Sequence, residues 1–321
     1  RLASPSPPLP VSRPPPPLAF LMPTGSRRRF LQGTLATAAA LAFPRPLSAA
    51  ASASDEKPPG DVPEGFLTDV NVYLSHYPFR RMPGDESATL VARLRRSGVK
   101  SAWAGSLDGL LQKDVGAVNI RLTEICRQYP GRLLLPFGTV NPAGPDWQED
   151  LRRCHELHRM PGIRLHPNYH GYKLDDARFL ILAGLADRRG LIVQIATEME
   201  DRRTQHRLMQ EPPVDLSPLA DVAGRFPRLK LVVLNTSLSG PLATRLAAAG
   251  RVHLDTSYQE GLQGLSRALQ SVPIDRLLFG THAPLFIYEA NLLKLRESPL
   301  SEDQLRAIAF ANADRLVSAA S

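Results

Sequence analysis

Two histidines close short runs of apolar residues. His166 ends Gly162-Ile163-Arg164-Leu165-His166, and His282 follows Leu277-Leu278-Phe279-Gly280-Thr281. A third run, 229–235, ends on Asn235, and the first, from Phe66, carries Asn71 and Tyr73 two residues apart. In an extended chain alternate side chains point to the same side, so an amide and a phenol are presented together. An imidazole with its ordinary pKa near 6.5 exchanges protons at neutral pH without a metal. Amides and phenols stabilise a developing oxyanion by hydrogen bonds. His282, His166, Asn235 and Asn71 are therefore candidate catalytic residues, and Tyr73 is a candidate substrate contact.

Further groups follow these ends. After the fifth run the chain reads Thr197-Glu198-Met199-Glu200-Asp201-Arg202-Arg203-Thr204-Gln205-His206-Arg207, and about twenty residues pass before Leu216. Long connections of this kind are often lids or binding segments. Asp201, Arg203 and His206 are candidate substrate contacts over the pocket; a solvated charge run is the competing reading. His170, four residues after His166, is another candidate contact. His166, His170 and Glu200 could together make a metal site, although two independent loop histidines also fit that spacing. Arg80 suits bidentate recognition of a substrate carboxylate, or a structural role holding loop carbonyls. On the third helical stretch, His155-Glu156-Leu157-His158 lacks the spacing of a metalloprotease helix and reads as a solvated face.

The elements that must position these residues alternate down the chain. Strand patterns fall near 66–73, 99–104, 132–138, 162–166, 191–196, 229–235, 251–255 and 275–280. Between them lie amphipathic stretches 88–97, 115–129, 147–159, 176–189, 216–226, 241–249 and 262–271; 287–296 follows the last strand, and a C-terminal helix spans 302–317. Eight strand–helix units predict a single (β/α)8 barrel with a C-terminal helix, over 66–321. A doubly wound sheet would more often carry a Gly-rich turn after the first strand, and none follows here. In a barrel the strand ends of one face carry the chemistry, which places the residues above at one mouth. Cys126 and Cys154 sit at apolar helical positions and read as buried thiols, with a disulfide open as the alternative.

The net charge of +8 is unevenly spread. Residues 1–53 hold six arginines and no acid, leaving 33 basic against 31 acidic residues in 54–321. That near balance argues against a dedicated nucleic-acid binder. Residues 26–32, Ser-Arg-Arg-Arg-Phe-Leu-Gln, with an apolar run from Leu35 to Phe43 and small residues to Ala53, resemble a twin-arginine export signal. The expectation is a leader over 22–53 cleaved near Ala53, a linker over 54–65, and a periplasmic or secreted protein carried by the twin-arginine translocase. Residues 1–21, Pro-rich, read as an over-extension upstream of Met22. The apolar run is too short to span a bilayer, so no stable membrane insertion is expected.

Taken together, the strand ends resemble those of the amidohydrolase-related family, in its aminocarboxymuconate-semialdehyde decarboxylase-like branch, over 66–317. Gly162–Pro167 is similar to that family's fourth strand, Phe226–Asn235 to its sixth and Leu278–Pro284 to its eighth. The resemblance implies a divalent metal such as zinc, held by His-x-His on strand one and by histidines on strands five and six, with an acid/base Asp on strand eight. In this chain those places hold Asn71 and Tyr73, Ala196, Asn235 and His282. A catalytic zinc needs about three strong protein ligands, and one imidazole, two amides and a phenol do not supply them. The expected protein is an exported hydrolase of a small polar or carboxylated lactone, ester or amide, with a metal-poor His/Asn site. A non-catalytic barrel binding a periplasmic small molecule is the rival, and a decarboxylase the second alternative. Expected partners are the small-molecule substrate and a second copy of the chain.

Overall fold

The computed structural model describes residues 66–129, 131–261 and 263–319; the expected leader, its cleavage point and the linker 54–65 lie outside them. Eight strands follow in chain order: β1 (Leu67–Leu74), β2 (Val99–Ser106), β3 (Leu134–Thr139), β4 (Gly162–Leu165), β5 (Ile192–Ala196), β6 (Lys230–Leu234), β7 (Val252–Asp255) and β8 (Leu277–Leu278). Each pairs in parallel with the next. The ring is joined back to β1 where Val70 N–H donates to Phe279 O at 2.9 Å and Tyr73 N–H to Ala283 O at 2.8 Å. The result is the nearly closed (β/α)8 barrel that the alternating pattern predicts.

Helices α1 (Ser87–Arg96), α2 (Val115–Arg127), α3 (Trp147–Arg152), α4 (Ala177–Arg189), α5 (Leu219–Arg225), α6 (Gly240–Ala248), α7 (Gly264–Ala268) and α8 (Tyr288–Glu297) follow the strands. Two expected helices change pitch. The third passes into a π turn over Arg153–Leu157, and the C-terminal one reads α9 (Glu302–Arg306), a π turn (Ala307–Ala311) and α10 (Asn312–Ser318). β8 is shorter than its sequence pattern because Phe279 N–H donates to Ile308 O of that second π turn, at 3.0 Å.

Parallel strands covered on both faces are apolar almost throughout, and alternation sorts their side chains. Ile163, Leu165, Val193, Ile195, Leu231 and Val233 pack outward under the helices. Val70, Trp103, Phe137, Ile192, Val232 and Leu278 fill the lumen, with Ala313 and Leu316 of α10 closing its N-terminal end. Trp103 and Phe137 stack there at 4.8 Å. A bulge in β1 between Asp69 and Val72 resets the alternation, so Asn71 and Tyr73 turn to the lumen above Val70. Over the C-terminal strand ends lies an apolar roof of Tyr77, Met82, Leu107, Leu110, Met199 and Met209. Cys126 and Cys154 are both free and buried, as their helical positions indicate.

Candidate active site

Under that roof Asn71, Tyr73, His166, Asn235 and His282 converge, and all five are fully buried. Tyr73 stands between the two imidazoles. Its hydroxyl shares a hydrogen bond with His166 Nε2 at 3.2 Å, and the His282 ring meets its ring edge-on at 5.6 Å. His282 Nε2 lies 2.7 Å from Met199 O. A carbonyl only accepts, so Nε2 carries the proton and Nδ1 holds a bare lone pair. That Nδ1 is buried without a partner, as is His166 Nδ1. Burial, above all, holds His282 down to about 4, with the Arg164 charge adding to the effect and the Met199 bond opposing it. Burial also holds His166 well below its usual value, followed by the repulsion of His170, Arg164 and His282. Both imidazoles are neutral at pH 7, and burial keeps the Tyr73 phenol protonated.

The two amides act differently from the oxyanion donors that their types suggest. Asn71 Nδ2 donates to Asn235 Oδ1 at 2.7 Å and Asp255 Oδ2 at 2.8 Å. Asn235 donates its own Nδ2 to Glu198 O at 2.7 Å and its N–H to Asp255 Oδ1 at 2.9 Å. Their donors are thus committed to a scaffold tying the ends of β1, β6 and β7 to the loop after β5. A flip of Asn71 would set oxygen against oxygen, so the amide orientation is fixed, and its Oδ1 is left buried and unpartnered. Asn235 and His282 sit in the left-handed backbone region, at φ 60° and 59°. For a histidine this is uncommon, and such strain gathers where a side chain must be aimed at a site.

Two lumen residues carry weight to which the strand-end reading assigns no role. Arg164 on β4 is fully buried and donates to Gln194 Oε1 and to the carbonyls of Val70, Val72 and Trp103, at 2.8–3.2 Å. Its guanidinium lies 4.4 Å from the Tyr73 ring centre. The signal was present: alternation along Gly162-Ile163-Arg164-Leu165-His166 puts Arg164 on the same side as His166. Asp255 on β7 is the other; burial raises its carboxyl despite the Ser257, Asn235 and Asn71 hydrogen bonds. Asp69, pushed to about 7 mainly by burial, accepts from Asn71 N–H and from Thr281 N–H and hydroxyl, locking the bulge to the turn after β8.

The lid residues divide. Glu200 is buried; it accepts from the Tyr77 hydroxyl at 2.7 Å and pairs with Arg80 at 2.6 Å. Arg80, read as a substrate-carboxylate contact or as a structural arginine holding loop carbonyls, pairs with Glu200 and donates to Thr204 O at 3.5 Å. Asp201 and Arg203 pair with each other on the exposed outer surface, and exposed His206 stacks on Phe79 at 4.3 Å. These three do not face the buried cluster, because the loop turns its apolar side, Met199 and Met209, inward. His170 comes near it, 6.0 Å from the His166 ring, but its Nε2 is spent on Gly109 O at 2.9 Å.

The residues at the mouth do not fit a catalytic zinc. The places where the resemblance puts the family's ligands hold two neutral amides, a phenol, an alanine and one imidazole, and Asn235 Oδ1 already accepts from Asn71 Nδ2 and the Ser257 hydroxyl. His166, His170 and Glu200 do not bring ligand atoms together either. Among the described residues, only His76, Asp85 and Glu86 have ligand atoms mutually within 4.8 Å, and Arg81 already engages both of those carboxylates.

A family model for amidohydrolases matches residues 83–318, a span that begins after β1 and so leaves out Asn71 and Tyr73. No curated protein sequence matches significantly. Among solved structures, the chain is similar to 2,6-dihydroxybenzoate decarboxylase from Rhizobium, at 14% identity and TM-score 0.63, covering 79% of this chain and 99% of that one. It is also similar to 5-carboxyvanillate decarboxylase from Sphingomonas paucimobilis (14%, 0.60, 79% and 99%). A third is 4-oxalomesaconate hydratase from Rhodopseudomonas palustris (13%, 0.59, 79% and 96%). At such identity these likenesses speak for the fold. With the family model covering most of the barrel, the chain belongs to the amidohydrolase family.

Proposed function

We propose that the chain is a lidded acid–base enzyme that hydrolyses a small carboxylated cyclic ester without a resident metal. The observation that carries this is the bare Nδ1 lone pair of His282, buried and unpartnered beside the Tyr73–His166 pair. When the lid opens, water and substrate enter. His282 Nδ1 takes the proton of the attacking water, the Tyr73 hydroxyl donates to the carbonyl oxygen as charge develops, and His282 returns its proton to the leaving alkoxide. Arg164 favours an anionic substrate, because its four acceptors are neutral and its charge is not cancelled by a bonded carboxylate.

A second reading, decarboxylation of a small aromatic acid, is supported by the burial of the site, which disfavours a carboxylate over the neutral carbon dioxide it releases. The decarboxylases named above share the fold. Purified chain assayed against lactone, ester and hydroxybenzoate panels separates the two by product, ring-opened acid or carbon dioxide. In either case His282→Ala should lower kcat/KM by about 10²–10⁴ fold. Tight binding without turnover on every panel would show a binding barrel instead.

A further inference from the structure

At the N-terminal end of the barrel, opposite the mouth, a cleft of about 510 Å³ opens between the end of α2, the start of β3 and the π turn after α3. That volume suits a small organic molecule. The lining carries Arg127, Arg132, Arg159, His155 and His158 and no carboxylate. Among the described residues the three arginines make no ion pair, whereas nearby Arg152 and Arg153 both pair with Glu149. Helix C-termini attract cations, but two of them offer only about half a charge each, less than three guanidinium groups bring.

Two further features mark the cleft as built for a guest. Arg132 and Arg159 both hold left-handed backbone, at φ 57° and 55°, where glycine would sit without strain. His155 Nδ1 is buried and has no hydrogen-bond partner. Burial, then the charges of Arg127 and Arg153, holds the His158 imidazole below its ordinary value, in keeping with a positive local field. The floor is apolar, formed in part by buried Leu134 and Met160. Guanidinium forks match carboxylate and phosphate oxygens two at a time. We infer that this cleft binds a compact organic anion carrying two or more charges on carboxylate or phosphate groups.

Isothermal titration of the full chain with citrate and with pyrophosphate, at fixed ionic strength, tests this and distinguishes the two head groups. Saturable binding of at least one probe is expected, weakened tenfold or more in Arg132→Gly/Arg159→Gly. Those two changes keep the backbone in a conformation that glycine favours. The charge-matched control Arg95→Ala/Arg96→Ala, on the exposed end of α1, should bind as the wild type does. No saturable binding, undiminished binding in the Arg132/Arg159 variant, or equal weakening in both variants overturns the assignment.

Discussion

His282 is set by a single bond. Because Nε2–H donates to Met199 O, its Nδ1 is a proton acceptor, and the loop after β5 and that lone pair are coupled through one imidazole. The direction of its titration follows from burial. Its pKa lies at about 4, below the ordinary 6.5, so the neutral, competent form persists to lower pH and is lost only as pH falls through that value. The acid limb of kcat/KM should therefore lie near pH 4. A limb at the ordinary imidazole value would mean that the free enzyme keeps His282 in water and that the buried arrangement is not its resting state.

The loop after β5 is fastened through Glu200. Glu200 joins the loop after β5 to Tyr77 and Arg80 of the loop after β1. Arg80 is 43% exposed on its side chain, so solvent screens the pair and its worth is on the order of 1 kcal/mol or less. That is small for the fold and large for a local opening equilibrium, whose population it would raise up to about fivefold. Arg80→Ala should speed amide hydrogen exchange in 197–216 while leaving the strands unchanged and the melting temperature nearly so. Unchanged exchange in that loop would show that the apolar roof alone keeps it shut. This element was half legible in sequence. Its length and position after β5 marked it as a lid or binding segment, or a solvated charge run, but which side chains face inward depends on Met199 and Met209 joining the cluster of Leu107 and Leu110, which lie far away in sequence.

In the whole barrel, Arg164 ties the lumen together by bonding residues of β1, β2 and β5 from β4. Room for it comes from β2: a Cβ on Gly105 would stand 2.8 Å from Arg164 Cδ. Gly105→Ala should therefore cost about 1–3 kcal/mol, and Arg164→Ala about 1–3 kcal/mol for the acceptors that it leaves buried and unsatisfied. In the double variant the Gly105 change should cost little further, because the clash is gone. Denaturant unfolding of all four proteins measures this, and additive losses would count against the lumen packing. The sequence by itself determined the barrel, because a two-residue alternation within strands and helical periodicity between them are local properties. It also determined that polar residues end the strands. Only the tertiary structure decided which partners they meet. The β1 bulge turns Asn71 inward, Asn235 and Asp255 consume its donors, and the roof buries His282 so that its free nitrogen is a neutral base. Each depends on partners far apart in sequence, and a hydrogen-bond donor's availability is fixed only when its partners are in place.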